Sequence, residues 1–321
     1  MDNKDLETRI GSIILNEGIV SLYKKSDPIF HYTSPEGVLG ILKAGKPILW
    51  FSQYDSLNDT TEGTHAVEVY QSVCDELFGD RRISLPFYQA IHDIKPMEKE
   101  AFIYSKNTPD QEDDCDWCKF EKPKRYICCF AKNFDSLPMW NYYSKGTKYE
   151  GYNIGFNFYK TAHTDVQNCY GKGYHLQFFT VIYDDKEKKS IIRSKIQKFY
   201  SLYQLDPQET VPPIICNALS TCLKELSLIF KKSCFCHEQE VRAILTVGES
   251  CTQFEVKYRS NAGYIIPYIE VPFPKDTVSG ITIGPLLNDK TAVENIKQFA
   301  KDRGYHLLDN DIRSSKIPIR Y

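Results

Sequence analysis

The segment Glu238–Arg242 carries the residues of this chain that are best suited to chemistry. Glu238, Glu240 and Arg242 occupy every second position, and this spacing predicts a strand with all three side chains on one face. Two carboxylates beside a guanidinium can line a polar cleft, where a carboxylate acts as a base or stabilises a developing cation. The alternative is a solvated strand face with an internal ion pair.

A second candidate site is the aromatic group Trp140, Tyr142 and Tyr143. The surrounding residues predict a short helix over 137–144, and Trp140 and Tyr143 are three positions apart, so a helical turn places them on one face. An aromatic wall of this kind suits the stacking of a planar ring such as nicotinamide or adenine. Core packing in a chain with 22 Tyr and 18 Phe is the alternative.

A third candidate site lies where a predicted strand runs directly into a predicted helix. His31, Tyr32 and Thr33 end the strand, Ser34 is placed to cap the helix, and Pro35 suits the first helical position. A His beside a Tyr at such a corner is a candidate ligand-binding pair. The alternative is a structural histidine whose ring is satisfied by hydrogen bonds.

A similar corner follows the next predicted strand, residues 48–52. Asn58 and Asp59 are candidate ligand-binding residues there. Asp59 with Glu62 three residues later also matches a capping box, which predicts a helix that reaches about Leu77. Helix capping therefore explains the same residues without a ligand.

Two cysteine groups are candidate metal ligands, namely Cys115 with Cys118, and Cys234 with Cys236 and His237. Neither group has a matching second pair at the usual zinc spacing, so we predict no metal site. The chain has no Walker loop, no G-x-G-x-x-G, no G-x-S-x-G and no H-E-x-x-H. These absences argue against the common nucleotide hydrolases, dinucleotide dehydrogenases, α/β-hydrolases and zincins.

Composition limits the class of protein further. The chain has 321 residues, a formal net charge of −2 and 11 Cys. This charge argues against a generally basic nucleic-acid footprint. The apolar run at residues 12–15 is too short for a signal peptide or a membrane span, and an odd number of Cys favours reduced thiols. We therefore expect a cytoplasmic protein with no membrane association.

The pattern along the chain predicts one α+β domain, with mixed, strongly bent β-sheets and flanking helices. An N-terminal helix within residues 1–27 precedes the His31 strand. Residues 79–125 are predicted to form a surface insertion of helices and loops, and residues 187–232 a helical insertion of two helices, 187–204 and 212–232. The other predicted elements are strands at 126–131, 151–156, 176–183, 238–247, 254–258, 265–271 and 281–283 and a helix at 292–303.

These motifs, taken in order, resemble those of a bacterial family catalogued as domain of unknown function 2971 (DUF2971). The resemblance runs from about residue 28 to the C-terminus. It rests on His31-Tyr32-Thr33-Ser34, Gly37 to Leu42, Phe51-Ser52, Leu57-Asn58-Asp59, Met139-Trp140 with Tyr143, Glu238-x-Glu240-x-Arg242, Gly284-Pro285 and Ser315-x-Ile317-Pro318-x-Arg320.

More distantly, the order of a strand bearing His, a helix and a late strand bearing Glu is similar to the plan of the ADP-ribosyltransferases. This resemblance implies an ADP-ribosyltransferase-like core in which NAD is the substrate. It implies that His31 holds the ribose of NAD, that Trp140 or Tyr143 packs on nicotinamide, and that Glu240 stabilises the ribosyl cation. Tyr32 would neighbour His31, and Arg242 would hold a phosphate.

The leading hypothesis is therefore an NAD-dependent ADP-ribosyltransferase-like enzyme, such as a toxin or phage-defence effector. It would bind a small-molecule nucleotide and transfer ADP-ribose to an unknown protein or nucleic-acid acceptor. The alternative is a non-catalytic nucleotide- or partner-binding module of a bacterial defence or regulatory system, in which Glu240 and Arg242 pair with each other. A nuclease is a third hypothesis, although no paired metal-binding carboxylates are visible. The enzyme hypothesis requires that His31, Trp140, Tyr143 and Glu240 meet in one cleft.

Overall fold

The computed structural model of the protein describes residues 9–10, 13, 23, 27–56, 60–97, 100–106, 115–143, 150–158, 173–205, 211–261, 263–287 and 289–319. Its strands are β1 Ile29–Thr33, β2 Ile48–Gln53, β3 Glu100–Lys106, β4 Cys115–Glu121, β5 Lys124–Ala131, β6 Tyr152–Phe156, β7 Tyr174–Thr180, β8 Glu240–Val247, β9 Lys257–Asn261, β10 Tyr264–Pro272, β11 Val278–Ile283 and β12 Ile312–Ser314. Its α-helices are α1 Pro35–Ile41, α2 Thr60–Gly79, α3 Leu85–Ile91, α4 Leu137–Tyr143, α5 Asp185–Leu205, α6 Pro213–Ser227 and α7 Lys290–Asp302.

A ten-stranded mixed sheet organises the molecule. Its order is β12-β11-β6-β1-β5-β2-β10-β9, and β8 lies between β5 and β7. The β11–β12 pair is parallel, whereas the other pairs of this sheet are antiparallel. The predicted α+β class with a mixed sheet is confirmed. The ADP-ribosyltransferase-like core remains a prediction.

The sheet branches at β5. One edge of β5 pairs with β8 along the whole strand. On its other edge, β1 pairs only at Ala131 and β2 only at Tyr126 and Ile127. The middle of that edge is therefore left without a strand partner, which becomes important for His31.

The two faces of β5 and β8 belong to different hydrophobic cores. Ile127 and Ile244 pack into a core shared with helices α2, α5 and α6. Cys128 and Val241, from the intervening positions, pack into a second core with β2, β10 and β11. Because side chains alternate between the faces of a strand, neighbouring residues of β8 lie in different surroundings.

The β1–α1 corner has the predicted structure. The Ser34 hydroxyl accepts a hydrogen bond from the Gly37 N–H at 3.2 Å, and Pro35 begins the helix. A Cβ at position 37 would collide with the Thr33 side chain, so this close approach of strand and helix requires glycine. The corner is thus encoded by local residues.

Several predicted boundaries were wrong. The 79–125 insertion contains α3 and the two-stranded β3–β4 sheet, rather than helices and loops alone. In the 187–232 insertion two helices form as predicted, but the second ends at Ser227, because the chain then runs beside Ile182 and forms a bridge at Phe230. The strand predicted at 254–258 is β9, three residues later.

Two further predictions lie mostly or wholly outside the described residues. Of the N-terminal helix, only residues 9–10 and 13 are described, and they are helical. Asn58 and Asp59 fall in the gap before α2. None of the helices in the described ranges is long and apolar enough to cross a membrane.

Candidate functional site

The predicted charged strand face forms a buried cluster of four charges, which we call the ion cluster: Lys231, Glu238, Glu240 and Arg242. All four residues are buried. The prediction that Glu238 shares a strand face with Glu240 and Arg242 was wrong, because Glu238 ends a 3₁₀ helix, Ser233–Glu238, and β8 begins only at Glu240. The intervening Gln239 has a left-handed conformation with φ of 45°, which turns the chain sharply between the two carboxylates.

Each carboxylate of the ion cluster is paired with a cation. Arg242 makes a bidentate contact with Glu240, with Nε at 2.9 Å from Oε1 and Nη2 at 3.1 Å from Oε2. Lys231 Nζ donates to Glu238 Oε2 at 2.6 Å and to Glu240 Oε2 at 3.2 Å. The remaining Nη1 of Arg242 donates to the Leu228 carbonyl at 2.7 Å. The formal charges of the four side chains sum to zero.

These contacts keep Glu240 ionised. Burial by itself would raise the pKa of Glu240, but the charges of Arg242 and Lys231 outweigh burial and lower this pKa to about 2. The Cys129 thiol also donates to Glu240 and lowers its pKa. Burial raises the pKa of Glu238. Glu240 is therefore an anion at neutral pH and too weak a base to take a proton from a substrate.

Two tyrosines border the ion cluster. The backbone N–H of Glu240 donates to the Tyr183 hydroxyl at 3.1 Å. Tyr143 lies on α4, which packs against the Ser233–Glu238 helix. Burial and the charges of Cys129 and Glu240 raise the pKa of the Tyr143 hydroxyl, whereas the side chain as a whole is 41% exposed. Tyr143 thus reaches from the surface to the ion cluster.

Trp140, in contrast, is not available for stacking a ligand. Its side chain is only 1% exposed, and its ring packs edge-on against Tyr32 at a centroid distance of 4.7 Å. Its Nε1 donates to Asp135 Oδ1 at 2.9 Å, while the Tyr32 hydroxyl donates to the Asn133 carbonyl at 2.8 Å. Both aromatic residues belong to a small core under α4, so core packing, the alternative explanation for Trp140, is the one the structure supports.

His31 lies on the other side of the sheet from Glu240. Its Nδ1–H donates to the Cys129 carbonyl at 2.9 Å, at the unpaired middle of the β5 edge. The ring lies 4.0 Å from Cys128 Sγ and 5.7 Å from the Phe130 ring centroid. Cys128 and Phe130 point away from the ion cluster, because Glu240 pairs with Ala131 and shares its face.

The predicted meeting of His31 with Glu240 therefore does not occur. The physical reason is strand alternation: His31 and Thr33 point to one face of β1, whereas Tyr32 points to the face that α4 covers. Burial lowers the pKa of His31, so its ring is neutral at pH 7. The structure brings Tyr143, Glu240 and Arg242 together and leaves His31 apart.

Sequence reasoning missed Lys231, Tyr183 and Cys129 as members of this site. Cys129 lies in a predicted strand, but its place in the site depends on the pairing of β5 with β8 opposite Arg242, which the sequence does not reveal. Lys231 could not be predicted either, because its approach to Glu238 depends on the 3₁₀ helix that folds the chain back between them. In the described part of the chain, no group of three or more His, Cys, Asp and Glu side chains could hold a metal ion.

Residues 139–243 match the family model described as "Protein of unknown function (DUF2971)". The resemblance to this family is confirmed over that segment, which begins on α4 and ends in β8. The match thus spans both elements that meet at the ion cluster, whereas His31 lies outside it. No curated protein and no solved structure is significantly similar to the chain.

Proposed function

We propose that this protein is a non-catalytic nucleotide-binding module of a bacterial defence or regulatory system. The observation that carries the proposal is the buried bidentate pair between Glu240 and Arg242. A catalytic carboxylate needs a free oxygen that faces the reacting atoms. Both oxygens of Glu240 already accept hydrogen bonds from cations of the same chain, so Glu240 serves as a structural counter-ion.

The surface for the ligand is an aromatic cap formed by Tyr142, Tyr143 and His237. Tyr142 is 53% exposed, and its ring lies 5.7 Å from the His237 ring, between centroids. His237 is half-buried, so the exposed Tyr142 ring is the surface on which a planar base would stack, and such stacking contributes about 1–3 kcal/mol per base. The ion cluster beneath supports the cap, because α4 and the Ser233–Glu238 helix contact each other there. We expect NAD and its adenine-containing relatives as the ligands, because their planar bases can stack on such a ring.

An ADP-ribosyltransferase-like enzyme is the second candidate, and one observation favours it. Glu240 is held ionised beside Tyr143, and an ionised carboxylate next to an aromatic ring is what stabilises oxocarbenium character when a nicotinamide bond breaks. This candidate requires that substrate binding separate Glu240 from Arg242. It also requires a residue other than His31 to hold the ribose.

Equilibrium dialysis with radiolabelled NAD, ADP-ribose and ATP tests the proposal. We expect at least one of these nucleotides to bind without chemical change, and Tyr142→Ala to weaken binding by about tenfold or more through lost stacking. Leu137→Ala is the matched control, because Leu137 is also exposed on α4 but lies outside the cap. Failure of all three nucleotides to bind would contradict the nucleotide assignment, and equal losses in the two variants would contradict the aromatic cap.

A further inference from the structure

Helices α2 and α5 share a group of ionisable side chains outside the ion cluster, which we call the lysine–histidine contact: His65, Asp185 and Lys188. Lys188 lies on the first turn of α5, and its side chain has no exposed surface. Its Nζ lies 2.8 Å from Asp185 Oδ1 on the same turn and 3.0 Å from His65 Nε2 on α2. The contact therefore joins the start of α5 to α2.

This contact fixes the protonation state of His65. A lysine ammonium has donors and no acceptor, so the Nε2 atom that faces Lys188 must accept a hydrogen bond and carry no proton. The imidazole is then neutral, with its proton on Nδ1. Within the described residues Nδ1 is buried without a hydrogen-bond partner, and Glu68 Oε2 lies 3.6 Å from it, which is too long for a hydrogen bond.

Acid changes this arrangement, because a second proton on His65 removes the acceptor. In the described ranges, the charged groups that act on His65 are Lys188 and Asp185 from α5 and Glu68 from α2. Burial and Lys188 lower the pKa of His65, the two carboxylates raise it, and the net direction is downward. The hydrogen bond from Lys188 holds the pKa of Asp185 below its usual range, so Asp185 remains an anion. A protonated Nε2, 3.9 Å from Asp185 Oδ1, then competes with Lys188 for this carboxylate.

A second set of contacts between the same helices does not respond to pH in this range. Glu76 on α2 is paired with Lys189 at 2.6 Å and with Arg193, both on α5. The hydrogen bond from Lys189 and the charges of both cations lower the pKa of Glu76, so these pairs persist well below neutral pH. Acid therefore acts on the His65 end of the interface, while the Glu76 end stays closed.

We propose that the lysine–histidine contact is a pH-sensitive switch that opens when His65 takes up a proton. Protonation places a second cation beside the fully buried Lys188, and a buried charge without a partner is unfavourable. Lys188 then moves towards solvent, and the first turn of α5 separates from α2. The unfolded chain takes up the histidine proton near a pKa of 6.5, so the stabilisation from neutral His65 is complete above about pH 6.5 and is lost as the pH falls below it. The switch does not depend on nucleotide binding.

Two measurements on the full-length wild type test the switch. Titration of the His65 ring by nuclear magnetic resonance should give a pKa below 6.5. Hydrogen exchange, corrected for the intrinsic effect of pH, should show that the amides of residues 188–191 lose protection by about three- to tenfold between pH 7 and pH 5.5. The amides of residues 193–196, beside the Glu76 pairs, should keep their protection.

Three variants assign the response to this contact. His65→Gln retains an acceptor near the position of Nε2 but takes up no proton, so its protection should be equal at both pH values. His92→Gln is the matched control and should respond like the wild type, because the His92 ring contacts the carboxylates of Asp75 and Asp93 rather than a lysine. Lys188→Met should raise the pKa of His65 relative to the wild type.

The proposal is overturned by any one of the following results. In the wild type, these are a His65 pKa at or above 6.5 and unchanged protection at pH 5.5. In the variants, they are a loss of protection in His65→Gln equal to that of the wild type, a lost response in His92→Gln, and no rise of the His65 pKa in Lys188→Met.

Discussion

The ion cluster at β8 and the Arg259 side chain on β9 belong to strands of one sheet, yet their charges are satisfied to different degrees. In the ion cluster, Glu240 and Glu238 each have a cation within 3.2 Å, supplied by the same chain. On β9, Arg259 has one hydrogen bond, which crosses β10 to Ser52 on β2, and an unsatisfied, buried Nε. The paired charges of the ion cluster hold two segments of the chain together, whereas Arg259 contributes a single hydrogen bond between strands.

This contrast follows from where each strand lies. Both faces of β8 are covered by hydrophobic cores, so any charge on it must find a partner inside the protein. β9 lies at the end of the sheet, where Arg259 is only half-buried, so solvent can stabilise part of its charge without a counter-ion. The predictions below test this difference, beginning with the largest effect.

Removal of Arg242 should have the largest effect on stability. Arg242→Met leaves a buried carboxylate with Lys231 as its one remaining cation, and we expect a loss of about 3–5 kcal/mol in the free energy of unfolding. Urea unfolding followed by circular dichroism measures this loss. The double variant Glu240→Gln with Arg242→Met should lose less than the sum of the two single variants. Additive losses would show that the two residues do not interact.

Acid should weaken the ion cluster in a defined range of pH. The pKa of Glu240 is about 2 in the folded protein and about 4.5 in the unfolded chain. Below pH 4.5 the unfolded chain binds the proton first, so the stabilisation from Glu240 is complete above pH 4.5 and is lost as the pH falls towards 2. The stability difference between the wild type and Glu240→Gln should therefore shrink across this range. A constant difference would contradict the lowered pKa.

Replacement of His31 should lower the stability of the protein without changing its affinity for nucleotide. His31→Leu leaves the half-buried Cys129 carbonyl without its hydrogen bond, and we expect a loss of about 1–3 kcal/mol in the free energy of unfolding measured in urea. His31→Asn retains a donor near the position of Nδ1 and should lose less. Because His31 lies on the opposite face of the sheet from Glu240, nucleotide binding by the folded His31→Asn variant should equal that of the wild type. Weaker binding would show that His31 belongs to the ligand site.

Replacement of Arg259 should have the smallest effect on the free protein. Arg259→Met removes one hydrogen bond near the surface, and we expect a change within about 0.5 kcal/mol in the free energy of unfolding. Urea unfolding followed by circular dichroism measures this change. A stability loss as large as that of Arg242→Met would mean that Arg259 holds the fold together as the ion cluster does.

The sequence predicts features that depend on local residues. Ser34, Pro35 and Gly37 define the β1–α1 corner through capping and close packing, and the structure has that corner. The spacing of Glu240 and Arg242 also predicts correctly that their side chains share a face. In both cases the relevant partners are a few positions apart, so the local conformation is sufficient to relate them.

Features that depend on the arrangement of distant strands could not be predicted in this way. His31 and Glu240 both lie on predicted strands, but their separation depends on how β1 and β8 pair with opposite edges of β5. The burial of Trp140 depends likewise on Tyr32, which lies more than a hundred positions earlier in the chain. The alternation of side chains along a strand predicts which residues share a face of that strand. Only the pairing of strands in the folded sheet shows which residues of different strands share a face.

The most direct test of the structural role of Glu240 is the release of labelled nicotinamide from NAD by wild type and Glu240→Gln. Both proteins should first be shown to be folded by circular dichroism and to bind nucleotide in dialysis. We predict that they bind NAD with affinities within about threefold of each other and that neither releases nicotinamide. Nicotinamide release by the wild type that is lost in folded Glu240→Gln would contradict this account and establish Glu240 as a catalytic residue.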